Sequence, residues 1–275
     1  MVMKTKEKPF RHELKYVIGE PEKALLTERF KHLIQLDKHA TNGGYTIRSL
    51  YFDDYWNSAY AEKDAGILVR KKYRIRIYNF GTNSIKLERK KKVDTYILKE
   101  DAPLTVEEFY KIIDGDYDFL LKSPYPLCQE FYYECVSNMM RPRTIVDYER
   151  EPWVYDFGTV RLTFDQNVRV AVGSFDIFDP DLPTIPVIDP EKMVFEVKYT
   201  EYLPKIVQSV LPGKADMMAV SKYVLAYEKS QYLNGFECWE YGNIQIGKVL
   251  SLEELSIRRE IYECSRLYKK IYFAV

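Results

Sequence analysis

The sequence predicts an α+β fold: an antiparallel sheet that closes on itself, with short helices packed outside it. Three observations carry this. First, apolar and charged residues alternate with period two in several segments, which is the side-chain repeat of a β-strand. Tyr73-Arg74-Ile75-Arg76-Ile77-Tyr78 and Ile85-Lys86-Leu87-Glu88-Arg89-Lys90 are the clearest. Second, Asn79–Ser84, which holds Gly81 and Asn83, is short and turn-rich, so these two runs form a hairpin. Third, the hairpin puts Arg74, Arg76, Lys86, Glu88 and Lys90 on one face and Ile75, Ile77, Ile85 and Leu87 on the other. A sheet that is apolar outside and cationic inside is consistent with closure around a polyanion.

Along the chain, Arg11–Ile18 reads as a strand with Arg11, Glu13 and Lys15 on one face, broken by Gly19. Pro21 opens a helix running to about Asp37, with Leu26, Phe30, Leu33 and Ile34 at helical spacing. After the turn Asn42-Gly43-Gly44, Tyr45–Asp53 is a strand with Arg48 in the phase of Leu50 and Phe52. Residues 54–66 read as a loop or helical turn. The hairpin follows, then a further strand near Thr95–Leu98. Thr105-Val106-Glu107-Glu108 is a capping box that starts a helix ending near Gly115. Thr144–Arg150 and Val160–Arg169 are strands separated by Pro152 and Gly158, and Asp176–Pro190 is an ordered loop. Met193–Tyr199 alternates, with Glu196 and Lys198 in one phase. Helices over Tyr202–Leu211 and Ala215–Lys229 follow, around Pro212-Gly213. A second capping box at Ser251–Glu254 starts a helix to about Tyr272, so residues 1–235 read as one domain and 236–275 as a helical extension packed on it.

Composition narrows the function. The 275 residues are 30% charged and 46% apolar, with 41 Lys and Arg against 41 Asp and Glu. That balance argues against a nucleic-acid or membrane-surface binder, which carries a basic excess. An anion site must therefore come from local placement of charge. The 24 tyrosines favour strands. Cys128, Cys135, Cys238 and Cys264 show no metal spacing and read as reduced, buried thiols. No signal peptide or membrane span is evident, so the expected compartment is the cytoplasm. Any membrane link is left to a separate membrane-protein partner.

Thirteen charged positions fall in the inward phase: Arg11, Glu13, Lys15, Arg48, Arg74, Arg76, Lys86, Glu88, Lys90, Arg150, Arg161, Glu196 and Lys198. A solvated sheet face mixes Thr, Ser, Glu, Lys and Gln. Here arginine and lysine dominate, and facing cations repel unless an anion lies between them. Guanidinium forks grip phosphate oxygens, and lysine adds point charge. Glutamates among the cations can hold a divalent metal shared with phosphate. Glycine-rich phosphate loops and nucleophile motifs are missing.

Arg11-His-Glu-Leu-Lys-Tyr16, Arg48-Ser-Leu-Tyr-Phe-Asp53, Arg74-Ile-Arg76, Lys86-Leu-Glu-Arg-Lys90, Tyr148-Glu-Arg150, Val160-Arg-Leu-Thr-Phe-Asp165, Phe195-Glu-Val-Lys198 and Ser221-Lys-Tyr223 occur in this order. The series resembles the VTC domain, the catalytic domain of vacuolar transporter chaperone polyphosphate polymerases and their bacterial relatives. That domain is one of the triphosphate tunnel metalloenzymes, allied to the CYTH proteins. The resemblance covers about residues 8–230 and implies an antiparallel β-barrel tunnel with flanking helices. It implies phosphate contacts from Lys15, Arg74, Arg76, Lys86 or Lys90, Arg150, Arg161 and Lys222, with Arg11, Arg48, Lys198 and Ser221 as further ligands. It implies Mn2+ or Mg2+ on Glu196, with Glu88 and Glu13 as further candidate metal ligands, and ATP, triphosphate and polyphosphate as ligands. The expected activity is transfer of the ATP γ-phosphoryl group to a polyphosphate chain. A triphosphatase and a non-catalytic polyphosphate-binding module are the alternatives. CYTH hydrolases open with Glu-x-Glu-x-Lys, whereas Arg11 holds the first acidic position here, which counts against hydrolysis.

Overall fold

The computed structural model describes residues 10–40, 43–155, 159–212 and 217–231. The extension expected over 236–275 lies outside the described residues, as do Cys238 and Cys264. The elements, in order, are β1 (His12–Gly19), α1 (Glu20–Phe30), β2 (Gln35–Leu36), β3 (Tyr45–Asp53), α2 (Ser58–Asp64), β4 (Val69–Tyr78), β5 (Ile85–Val93), β6 (Tyr96–Leu104), α3 (Val106–Asp114), α4 (Asp118–Leu121), α5 (Pro126–Ser137), β7 (Arg141–Tyr155), β8 (Val160–Ala171), β9 (Thr184–Pro186), β10 (Lys192–Tyr199), α6 (Lys205–Gln208) and α7 (Lys222–Ser230).

The period-two segments pair antiparallel in the order β1-β10-β8-β7-β3-β4-β5-β6, with β2 attached to β7 and β9 to β8. The two ends of this path meet. Arg11 and Ile97 exchange both backbone hydrogen bonds at 3.0 Å, so the sheet closes into a barrel. The fold is α+β, as the alternation predicts. Register in the hairpin sets Arg74 against Glu88 and Arg76 against Lys86. Asn79 and Phe80 turn the chain at φ 49° and 55°.

Outside the barrel, the apolar phase packs under helices. Tyr73, Ile75, Ile77, Ile85 and Leu87 pack with Phe109 and Ile112 of α3 and Phe131 of α5. Leu26 and Phe30 of α1 cover Leu162, Phe164, Phe195 and Val197. Inside, α7 lays Tyr223, Ala226 and Tyr227 against Val146, Val168 and Val170 and fills one part of the barrel. Asp53 ties these pieces together: it accepts from the Ala59 and Tyr60 amides at 2.8 and 3.0 Å and from the Tyr223 hydroxyl at 2.6 Å.

The structure departs from the sequence reading in several places. The first helix stops at Phe30, because Gln35 and Leu36 leave it to pair with Val154 and Trp153 of β7. β7 runs unbroken through Pro152, since β3 ends its pairing at Arg150 and leaves no ladder bond for the missing N–H to make. Residues 184–186, read as loop, add a short strand to β8. α7 starts at Lys222, with the Ser221 hydroxyl accepting from the Val224 amide. α4 and α5 were not anticipated. Cys128 and Cys135 are buried free thiols on α5, as expected.

Candidate functional site

The barrel interior not filled by α7 is a cavity of about 550 Å3. The inward phases of β1, β3, β4, β5, β6, β7, β8 and β10 line it, together with residues 218–223. Fourteen lysines and arginines face it, against three glutamates: Glu13, Glu88 and Glu196. The whole chain is electrically balanced, so this is segregation of charge rather than an excess of it.

The carboxylates are distributed as tethers. Glu88, 1% exposed, receives Arg74 Nε and Nη2, both at 2.7 Å, on one oxygen and Lys99 on the other. Burial alone would raise its pKa, but Arg76, Arg74 and Lys99 hold it well below the usual carboxylate range. Glu196 takes Lys15 at 3.3 Å and Lys222 at 3.1 Å on one oxygen, and Lys198 at 2.6 Å and Arg150 at 3.5 Å on the other. Burial is again outweighed, chiefly by Lys198, Lys222 and Lys15, so Glu196 stays ionised. Glu13 meets Lys90 at 2.7 Å and Lys15 at 3.5 Å. Arg150 is gripped by Asp165 at 2.6 and 2.7 Å, and Lys222 reaches the same carboxylate at 2.6 Å. Gly44 permits this arrangement: a Cβ there would lie 2.6 Å from the Arg150 carbonyl oxygen, so only glycine lets β3 start against β7.

The remaining cations outnumber their partners. Lys72 donates to Ser221 Oγ at 3.0 Å and lies 4.9 Å above the Tyr223 ring. Burial, then Lys15 and Lys90, push its pKa well below the usual lysine value. Lys99 is lowered to about 8, first by burial and then by Arg74 and Arg76 despite Glu88. Arg76 is held by Ser49 Oγ at 3.2 Å and the Tyr148 hydroxyl at 3.0 Å, and Arg74 by the Tyr51 hydroxyl at 2.8 Å. These neutral tethers fix the guanidinium planes without neutralising them, which leaves N–H donors for an anion. The positive N-terminal end of α7 begins at the cavity, at Ser221 and Lys222.

Of the residues singled out from sequence, Arg11, Glu13, Lys15, Arg74, Arg76, Glu88, Lys90, Arg150, Arg161, Glu196, Lys198, Ser221 and Lys222 line this cavity. Arg161 stands at its rim, paired with Asp37 at 2.8 Å. Two expected ligands do not line it. Arg48 is a correction: on β3 the lumen phase is Tyr45, Ile47 and Tyr51, so Arg48 points to the other side and is clamped by Asp147 at 2.7 and 2.8 Å. Lys86 shares the phase of Glu88 but sits one step beyond the cavity, opposite Arg76 and Pro103. Lys72, Lys99 and Asp165 were missed. Lys72 continues the Arg74–Arg76 alternation and was legible from it. Lys99 and Asp165 become visible only once the barrel closes.

Among the described residues, no three His, Cys, Asp or Glu side chains gather as a metal cage. Glu13 and Glu196 do lie together, each within 4 Å of Lys15 and Lys198. This donor set fits a hard divalent ion that takes one or two carboxylates and completes its shell with phosphate oxygens.

A family model for the VTC domain matches residues 10–231. The chain belongs to the VTC-domain family. The match spans the barrel and α7, the elements that build the lumen. Among solved structures, a candidate adenylyl cyclase from Hippeastrum, described as having a dominant triphosphatase activity, aligns at 11% identity with a TM-score of 0.47, over 81% of this chain and 96% of that one. A protein from Pyrococcus horikoshii aligns at 11% identity and a TM-score of 0.44, over 78% and 98% of the two chains. A candidate adenylate cyclase from Bacillus halodurans aligns at 11% identity and 0.41, over 74% and 86%. No curated protein matches the chain. No helix among the described residues of this VTC domain is long and apolar enough to cross a membrane.

Proposed function

We propose that this VTC domain is a metal-dependent phosphotransferase that extends polyphosphate from ATP. The observation that supports it best is the lumen: fourteen cations against three glutamates inside a closed barrel of a balanced protein. A linear polyanion supplies the missing counter-charge along its whole length. Phosphoryl transfer needs charge neutralisation and in-line alignment more than a covalent nucleophile. In the reaction, a terminal oxygen of the chain bonds to the γ-phosphorus of ATP, and the bond from that phosphorus to the β–γ bridging oxygen breaks, releasing ADP. Arg74 and Arg76, tethered by Tyr51, Ser49 and Tyr148, hold phosphate oxygens in fixed directions. Arg150 and Lys222, braced by Asp165, and Lys15 and Lys198 hold the partner phosphate. The acceptor is already an anion, so no base is required. Glu196, with Glu13, would hold Mn2+ or Mg2+, which supplies further neutralisation of the phosphoryl oxygens.

Incubation with ATP and Mn2+, followed by sizing of the products, tests this. Chains longer than the input are expected; shorter products alone would make it a hydrolase, and none would leave a binding module. Glu196→Gln should retain triphosphate binding and lose turnover by orders of magnitude across a Mn2+ titration. A near-parental rate at saturating Mn2+ would return Glu196 to a purely structural ion pair.

A further inference from the structure

Some tyrosine hydroxyls of this protein donate their proton to a carboxylate. Tyr73 donates to Glu130, Tyr223 to Asp53 at 2.6 Å and Tyr60 to Glu228 at 3.1 Å. In each, burial and the adjacent carboxylate raise the phenol pKa. Tyr51 is built the opposite way. It lies on the lumen face of β3 and is 7% exposed. Its oxygen accepts an N–H from Arg74 Nη1 at 2.8 Å, and the Arg74 guanidinium sits 5.6 Å from the centre of its ring. The Tyr223 ring packs on the other side at 5.2 Å, which fixes the phenol. The charged groups that act on it most strongly are Arg74, Arg76 and Lys222, and Lys15 acts on it as well, all cations. Burial would raise the phenol pKa, yet these cations bring it below the usual value.

A phenol has one proton to give and lone pairs to receive with. Arg74 uses a lone pair. The proton meets no acceptor among the described residues, because its neighbours are donors. A buried polar proton left without a partner is costly, and a site that keeps one implies that something arriving there accepts it.

We propose that the Tyr51 hydroxyl is a phosphate ligand of the lumen, donating its O–H to an oxygen of the same phosphate group that Arg74 and Arg76 engage. This deepens the functional reading above and rests on it. The phenol contributes what the cations cannot: a short neutral-to-anion hydrogen bond of fixed direction, which strengthens as the acceptor oxygen gains charge. Tyr51 thereby serves the anion twice, directly through its proton and indirectly by orienting Arg74.

Calorimetric titration of the full chain with tripolyphosphate tests the proposal, using the parent and Tyr51→Phe. The variant keeps the ring packed against Tyr223, and Glu88 still holds Arg74 through two bonds, so the ligand-free melting temperature should stay unchanged. The affinity should fall by about tenfold or more, the effect of a hydrogen bond to a charged acceptor. A second variant separates donating from merely holding Arg74. Fluorotyrosine at position 51, measured where the phenol remains protonated, is a stronger donor and a weaker acceptor. Equal or tighter binding is expected. Weaker binding would reduce Tyr51 to a support for Arg74 and overturn the proposal, as would undiminished affinity in Tyr51→Phe. A parent protein that binds no tripolyphosphate would remove the functional reading itself, and the proposal with it.

Discussion

Arg48 and Arg74 sit on neighbouring strands of one barrel and face opposite ways. On the outside, Arg48 is 1% exposed and meets one carboxylate, Asp147, through two hydrogen bonds; the carbonyls of Ile177 and Asp179 take its remaining edge, and the Phe80 ring lies 4.5 Å away. Charge and counter-charge match, so the group belongs to the wall. On the inside, Arg74 shares Glu88 with Arg76 and Lys99, and the same shortage repeats around the lumen. A buried arginine is therefore not by itself a ligand site. What marks a receptor is a local mismatch between cations and the carboxylates that tether them.

The comparison breaks most visibly by mutation. Arg74→Ala or Arg76→Ala should abolish measurable tripolyphosphate binding in calorimetry while the ligand-free protein melts as before, because each removes one of many mutually repelling cations. Unchanged affinity in both variants would overturn the inward assignment. Asp147→Ala should do the reverse. It strands the Arg48 charge in the wall and should destabilise the fold by about 3–5 kcal/mol, read by urea unfolding. The fraction that stays folded should bind tripolyphosphate with parental affinity.

Ligand addition probes the mismatch from the other side. An anion that binds only the folded barrel stabilises it by mass action, so saturating tripolyphosphate should raise the melting temperature, about 2.7 kcal/mol at a hundredfold excess over Kd. Arg48→Ala should show a lower starting point with the same upward shift.

The smallest effect is on pH dependence. Burial and the neighbouring Arg74 and Arg76 lower Lys99 to about 8, and Lys72 is also lowered. A bound polyanion raises both, so binding takes up protons. As far as Lys99 sets it, affinity should be flat well below pH 8, where that lysine is charged in both states. Above pH 8 it should fall, by at most about tenfold per pH unit for each lysine that titrates. Lys99→Arg keeps its charge throughout and should flatten part of that slope.

Much of this was legible in the chain because a half-buried strand repeats every two residues. β1, β3, β4, β5, β8 and β10 announce themselves by alternation, and the lumen phase could be read from Arg74–Arg76 and Glu196–Lys198. Arg48 was misassigned although its own sequence carried the warning: it shares a phase with Leu50 and Phe52, both buried outside the lumen. The cation outweighed the register in that reading. α5 escaped because its apolar positions, Leu127, Cys128, Phe131 and Cys135, are interleaved with tyrosines that blur the stripe. Asp165 could not be found from its strand alone. Its meaning is set by Arg150 and Lys222, which only the folded barrel brings to it.

The closure of the barrel has a mechanical consequence. Around most of the circumference adjacent strands are stitched over many residues, but among the described residues β1 meets the β6 side through the single Arg11–Ile97 bridge. Nearby, the Lys90–Glu13 pair spans the same gap from β5 at 2.7 Å. The wall is thus a belt with one buckle, and part of that buckle is electrostatic. Salt and competing anions act on this seam more than on any hydrogen-bonded ladder. Strand opening, seen as early amide exchange, is expected to begin at Arg11 and Ile97.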